Sequence, residues 1–547
     1  MEDTMIQFNG GQPQGGAQHQ GRRKILAGDV VTMDAGRRIV RHGRVCIDGA
    51  AIAAVLAPGE PLPAGFGDVD VTETAGTIFP GLVDLHNHLT YNMLPLWQVQ
   101  KRYTNRNQWR TQEASYQSDV ARPASLLARH PDPGYTRAII RYAECRSLFG
   151  GVTTAQGMSL SSSHGTRKLF EGLVRNVEQP LEHDWPIAGC QTLDFHPEEI
   201  RSKLVPALAT GMPFFYHLSE GTDRLARQRF RDLLLNDGRW AVGKSMICIH
   251  CVGLKSRDFS VMARTAGMVW SPTSNLLLYG RTADVAAAKK RGVPIALGAD
   301  WSPSGCKNLL GELKVARAVS ARRSTGGDSL FTPRELVEMV TSVPATMLGW
   351  AKHIGSIATG LRADLLVIDG THADPYTALI DAGESAIRAI LIDGRIRVGE
   401  AAAFTVGDPL TSESFTIGGK EYHIDLVEEG DDAMGGMTLA AAVDKLAHGL
   451  AHLPELAEES AQPAPAMARG AAPEWRLDLE MEDHDDHVHM GARAHAAPAG
   501  IALRAAADTP VRRMALDPIT AVDDNRFIER LLGNPNLPGY VRKSLRQ

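Results

Sequence analysis

The chain has 547 residues, 44% hydrophobic and 22% charged, with a formal net charge of -5, enough for one large core domain plus a smaller one or a tail. Its lysines and arginines are scattered rather than striped, which argues against a nucleic-acid partner. No apolar run reaches the roughly 20 residues that cross a bilayer, and the polar N-terminus lacks the apolar centre of a secretory signal, so no membrane partner and a cytoplasmic location are expected.

Residues 1–23, rich in Gly and Gln, read as a disordered leader. Short β-rich pieces, "KILAGDVVTMD", "GRVCIDGAAIAAVL" and "TIFPGLVDL", fill 24–80. From about 136 to 305 the rhythm becomes helix, glycine, buried strand. Helical "YTRAIIRYAECRSLFG" precedes "GVTTAQG", "PEEIRSKLVPALATG" precedes "MPFFYHLSEG", "SRDFSVMARTAG" precedes "MVWSPTSNLLLYG", and "ADVAAAKKRG" precedes "VPIALGADWSPSG". Nearly continuous apolar strands alternating with helices predict an α/β fold with a parallel sheet, and at this length a (β/α)8 TIM-like barrel. Seven strands are placed, ending near His88, Gln156, Asp194, His217, His250, Thr273 and Asp300; an eighth belongs between Gly157 and Cys190, where no clear pattern marks it.

After the barrel, "GSIATGLRADLLVIDG" and "IRAILIDGRIRVGE" look like the N-terminal β piece, and the two flanking segments could close on each other as one small β-sandwich. The expected division is a first sandwich part at 24–80, a barrel at 81–352, a second sandwich part at 353–407 and a C-terminal extension at 408–547. Within the extension, Leu439, Val443, Leu446, Leu450 and Leu453 recur at helical spacing, 458–510 reads as a linker, and the last stretch, "LDPITAVDDNRFIERLLGNPNLPGYV", looks able to fold and dock.

Six cysteines in so long a chain, Cys46, Cys145, Cys190, Cys248, Cys251 and Cys306, do not form a disulfide framework. They are expected reduced and mostly buried. Cys248 and Cys251 lack the second ligand pair that a zinc knuckle needs. The histidine-acid run with His484, His487 and His489 reads as a solvated tail that binds metal only adventitiously.

The chemistry gathers at strand ends. In "GLVDLHNHLT", His86 and His88 are two apart and share one side of a strand. At the C-terminal end of a barrel strand that side is the active-site mouth, so the pair is half of a metal site. "FFYHLSEG" then brings His217, "MICIHCVGL" His250 and "VPIALGADWS" Asp300. Each alone is ordinary; the ordered set is a strong signal.

This order resembles the amidohydrolase superfamily, in particular its deaminase and chlorohydrolase branch. The motifs that carry the likeness are "PGLVDLHNH", "GVTT", "HLSE", "IHC", "SPTSN" and "LGAD", with "GSIATGLRADLLVIDG" downstream, over roughly residues 24–400. The resemblance implies that the barrel carries a metal-dependent hydrolase, and that the flanking segments form a composite β-sandwich. It implies that His86, His88, His217 and Asp300 bind a divalent metal, which imidazole and carboxylate ligands make Zn²⁺ or Fe²⁺, zinc first. Such a metal lowers the pKa of its water to about 7. Glu220 would shuttle protons to a ring nitrogen and the leaving group, His250 would orient the water or polarise the attacked carbon, and Asp300 would double as proton acceptor. Binuclear members often add a carboxylated lysine. Between Gly157 and Pro213 only Lys168 and Lys203 occur, both in helical patterns, which favours one metal.

Other residues carry two readings. Asn275, Ser302, Ser304 and Asn308 lie just past strand ends, to bind substrate or to stabilise turns, the latter favoured for Ser304 and Asn308. Trp301 faces away from Asp300 in a regular strand and is expected to pack, or else to bind substrate. The insertion of about 45 residues after His88 is long enough for a lid. Its Tyr91, Trp97, Tyr103 and Trp109 would stack on a planar ring, or fasten the loop to the barrel or to a second subunit in a homodimer.

The leading expectation is hydrolysis at an sp² carbon of a small planar or heteroaromatic molecule, by deamination or dehalogenation. The alternative is an amide, urea or carbamate C–N hydrolase, with room for two metals. A scaffold that has lost catalysis would predict a broken ligand set, whereas every position is filled.

Overall fold

The computed structural model describes residues 23–157, 160–161, 173–180, 182, 184–323, 328–407, 412–427, 434–461, 476–477, 479 and 510–546. Apart from Arg23, which opens the strand Arg23–Val31, the expected leader lies outside the described residues, as do Lys168, most of the expected linker and the histidine-acid run with His484, His487 and His489.

Five parallel strands form one sheet: Gly189–Gln191, Phe214–Leu218, Met246–His250, Gly267–Trp270 and Ile295–Leu297. Leu82–Asp84, Val152–Ala155 and Arg175–Asn176 form a second parallel sheet. The two meet on both sides. Ala188 N–H donates to the Val177 carbonyl at 3.0 Å, and Asp300 N–H to the His86 carbonyl at 2.8 Å while His88 N–H returns to Asp300 at 3.0 Å. Arg175–Asn176 is the strand that no sequence pattern marked, because it is two residues long and polar. Another expectation is corrected: the strand expected to end near Thr273 stops at Trp270, and Pro272–Tyr279 is a helix with proline in its first turn.

The strand sequences explain this burial. "FFYHL", "MICIH" and "GMVW" are buried at every residue, as strands covered on both faces must be. Alternate residues go to different cores: Phe215, Ile247, Ile249 and Val269 pack together in one, while Phe214, Tyr216, Met246 and Cys248 join the larger cluster. All six cysteines are buried and outside any disulfide.

A nine-stranded sheet is built from both flanking segments, because Val71–Pro80 pairs in parallel with Arg23–Val31 and antiparallel with Leu365–Asp369. Leu26, Val45 and Ile52 share one core with Leu365, Leu391 and Val406. Two further strands, Glu413–Ile417 and Lys420–Ile424, extend the sheet past residue 408. The sheet runs directly into the first strand of the site, with Gly81 N–H donating to Asp364 at 2.8 Å. Beyond it, the expected single helix breaks at His452 into Leu439–Ala451 and Leu453–Ala461, the second opening on Pro454. No helix among the described residues is long and apolar enough to cross a membrane.

Gly157 closes the Val152–Ala155 strand with φ 105°, and a Cβ there would lie 1.8 Å from the Asn87 carbonyl oxygen. Gly157→Ala is therefore expected to cost at least about 2 kcal/mol through backbone strain and overlap. It should also displace the His86–His88 segment, which urea midpoints together with metal stoichiometry will register.

Candidate metal centre and active site

The strand ends bring four predicted donors together. His86 Nε2 lies 3.2 Å from His217 Nε2 and 3.5 Å from Asp300 Oδ1, and His88 Nε2 lies 3.6 Å from the same oxygen. All four residues are buried. Bonds of about 2.0–2.1 Å at tetrahedral angles put neighbouring donors roughly 3.4 Å apart, so the spacing fits a divalent ion. The chemistry fits too, because the ring nitrogens of His86, His88 and His217 converge, and neutral imidazoles are ligands for such an ion. His217 Nδ1 has no hydrogen-bond partner among the described residues, whereas His86 Nδ1 is fixed by the Ser271 hydroxyl at 2.7 Å. His250 forms a second cluster with His86 and Asp300.

Regular alternation would put His250 on the face of Met246 and Cys248. A left-handed backbone at His250, φ 66°, breaks the alternation. Its ring then stands 4.7 Å from that of His86 and 5.3 Å from that of His217. Ser219 and Asp300 also have positive φ, 53° and 64°. Asp84, which the sequence reading passed over, staples the metal strands: it accepts from His86 N–H and Ala299 N–H at 3.2 Å and from the Asn87 side chain at 2.9 Å.

Glu220 sits beside the donors with both oxygens engaged. Tyr279 OH donates to Oε1 at 2.7 Å, Arg106 to Oε2 at 3.3 Å, and His250 Nε2 is 3.7 Å from Oε2. Trp109 Nε1 donates in turn to Tyr279 OH at 2.9 Å. Burial raises the pKa of Glu220, but His250, Arg106 and the Tyr279 hydroxyl outweigh it and hold the group below the ordinary glutamate value. Arg106 also donates to Asp194 at 2.9 Å and to the Thr192 carbonyl.

Arg106 and Trp109 come from the insertion after His88. It is zipped to the Glu220 turn through an Asn105–Gly221 bridge, Thr222 N–H to Thr104 at 2.7 Å, and Asp223 accepting from Asn105 and Thr104. Periodicity could not have revealed these partners; the cue was a buried acid in need of donors.

Of the weaker candidates, Trp301 lines the cavity over the donors with Trp109, Leu278 and Glu220. The expectation that it only packs is corrected, because it follows the left-handed Asp300; its indole donates to Ser304 at 2.6 Å. Trp97 does not line that cavity. It stacks on Tyr103, 6.1 Å between rings, and donates to Ser115 at 3.2 Å. Asn275 meets His250 Nδ1 at 3.0 Å, and Ser302 Oγ bonds the Asn92 carbonyl at 3.2 Å. Asn308 caps the following helix through Gly311 N–H. Tyr91, Trp97, Tyr103 and Trp109 are all buried, which fastens the insertion to the body. Lys203 is in a helix paired with Glu199, away from the donors.

Burial, followed by the neighbouring imidazoles, pushes His86 and His217 well below the ordinary 6.5. A depressed folded value means that the unfolded chain binds more protons below that pH. The metal-free protein should therefore lose stability as pH falls below about 6.5, by up to about 1.4 kcal/mol per pH unit for each imidazole. Urea midpoints of metal-free protein near pH 7.5 and near pH 5.5 check this. His217→Gln should remove about half the slope, and a flat profile would show that the imidazoles are not held neutral.

Residues 192–397 match the sequence profile of the Amidohydrolase family, a span that holds His217, Glu220, His250 and Asp300. A 5-methylthioadenosine/S-adenosylhomocysteine deaminase of Symbiobacterium thermophilum is 25% identical over 420 residues, 69% of this chain and 93% of that protein. A 5'-deoxyadenosine deaminase of Methanosarcina mazei is 23% identical, over 67% of this chain and 90% of that one. Among solved structures, a zinc-bound adenosine deaminase from Xanthomonas campestris has a TM-score of 0.56 at 17% identity, covering 78% of this chain and 98% of its own. A zinc-bound atrazine chlorohydrolase from Arthrobacter aurescens reaches 0.54 at 18% identity, covering 69% and 95%.

Proposed function

We propose that this chain is a member of the amidohydrolase superfamily, in its deaminase and chlorohydrolase branch, and that it hydrolytically deaminates a 6-aminopurine nucleoside. The observation that carries the reading is the meeting of three imidazoles and Asp300 beside a Glu220 whose two oxygens are held by Tyr279 and Arg106. In this reading the eight parallel strands close as a (β/α)8 barrel and the nine-stranded sheet is its composite β-sandwich. His86, His88, His217 and Asp300 hold one divalent ion, zinc before iron(II). When bound, that ion supplies the Lewis acidity that brings water's ionisation toward neutral pH.

The remaining work belongs to the chain. Glu220 starts as a carboxylate, takes one proton at the water oxygen and delivers it to the purine ring nitrogen. Water adds at the carbon bearing the amine, the C–N bond breaks and ammonia leaves. His250, held by Asn275, orients the water from the other side. Asp300 accepts the second water proton, which Glu220 relays to the departing amine so that it leaves as ammonia. Trp109, Trp301 and Leu278 supply apolar walls for a flat ring and exclude bulk water. The names of the two nucleoside deaminases support a purine nucleoside in particular.

The zinc-loaded protein, incubated with 5'-methylthioadenosine, S-adenosylhomocysteine and adenosine, should release one ammonia per turnover and convert the aminopurine absorbance to that of the oxopurine. Cleavage of an amide or urea without ring deamination would replace this reading by the C–N hydrolase alternative.

A further inference from the structure

The segment 510–546 returns to the outside of the loops that wall the site. Asn534 Nδ2 donates to the Val99 carbonyl at 3.1 Å, and Asn536 Nδ2 donates to two carbonyls, Lys101 at 3.0 Å and Leu277 at 2.7 Å. Both asparagines are buried. Val99 and Lys101 belong to the insertion that carries Arg106 and Trp109. Leu277 is in the last turn of the helix that ends on Tyr279, where carbonyls lack helical partners. The neighbouring Leu278 carbonyl accepts from Tyr103 N–H at 2.8 Å. One asparagine thus joins the insertion to that helix.

The asparagines are themselves held. Asn536 N–H donates to Asn534 Oδ1 at 2.9 Å, and Arg542 donates to the Asn534 and Leu537 carbonyls, each at 2.8 Å. A second anchor lies past Asp300. The buried Lys307 ammonium donates to the Pro518 carbonyl at 3.1 Å, Thr520 at 3.2 Å and Asp524 at 3.1 Å, over the Phe527 ring. Glu384 accepts from the backbone of Ala521, Val522 and Asp523 and from Asn308. The segment therefore bonds to three loops at the mouth of the site, from three different strand ends.

We propose that residues 510–546 are a clamp within the chain that positions the catalytic walls, with Asn536 the positioning residue that holds Trp109, Tyr279 and Arg106 around Glu220. Without its side-chain amide, the Lys101 and Leu277 carbonyls lose a donor and fewer bonds hold the insertion to the helix. The clamp rests on geometry alone; only its kinetic consequence rests on the deaminase reading.

The test is hydrogen exchange by mass spectrometry on the full chain, comparing wild type with Asn534→Ala/Asn536→Ala and with the gentler Arg542→Ala. Amides in 97–110 and 276–280 should exchange at least about tenfold faster in the double variant and about threefold faster in Arg542→Ala, with strands 214–218 and 246–250 unchanged. Unchanged exchange in 97–110 would overturn the proposal. Equal acceleration in the strands would overturn it as well, by reducing the segment to general stability. With 5'-methylthioadenosine, kcat of the double variant should fall about tenfold at unchanged zinc content, and wild-type kcat in that variant would also count against the clamp. A wild type that releases no ammonia would refute the deaminase reading and leave the clamp to be decided by exchange.

Discussion

Glu220→Gln should lower kcat by about 10²- to 10⁴-fold, the range for loss of a positioned proton carrier, while zinc content should stay at the wild-type level. The amide keeps the shape of the acid, so the Tyr279 hydroxyl still has an oxygen to donate to. Arg106 loses one of two anionic partners but keeps Asp194 and the Thr192 carbonyl. The local fold should persist, with a change in melting temperature of a few degrees at most. What disappears is the proposed carrier of protons from water to the substrate. Steady-state ammonia release beside elemental analysis separates the effects: full metal with full activity would remove Glu220 from the mechanism, and lost metal would make it a ligand.

His86→Ala should take bound zinc from about one equivalent to below about one tenth, because it deletes the donor nearest to both His217 and Asp300. It also strands Ser271, whose hydroxyl fixes the His86 ring. Activity should fall to background and return on no amount of added zinc. His250→Ala is the informative companion. Since His250 clusters with His86 and Asp300 but also faces Glu220, retention of zinc with loss of turnover assigns it to orienting water. Loss of zinc in both variants would make His250 a ligand in place of His88 or His217.

Much of the site was legible in the chain because strand geometry translates directly into sequence. His86 and His88 two apart, then His217, His250 and Asp300 at the ends of apolar runs, needed only the rule that strand ends of a parallel sheet face one mouth. Trp301 and His250 show where the rule stops. Both follow or contain a left-handed backbone, φ 64° at Asp300 and 66° at His250, and a period of two cannot foresee such a residue. Trp97 failed for another reason: aromatic content in an insertion says that the insertion packs, not which ring faces the cavity.

By itself the sequence determined the candidate donors, their order and the alternation of helix with buried strand, since these depend on residue type and local period. The tertiary structure alone decided what holds Glu220 and what the last residues do. Arg106, Tyr279 and Trp109 reach one carboxylate from distant parts of the chain, and Asn534 and Asn536 reach backbone carbonyls more than 400 residues earlier at Val99 and Lys101. A backbone carbonyl has no signature in sequence, and a buried charge finds its partner only where the chain crosses itself.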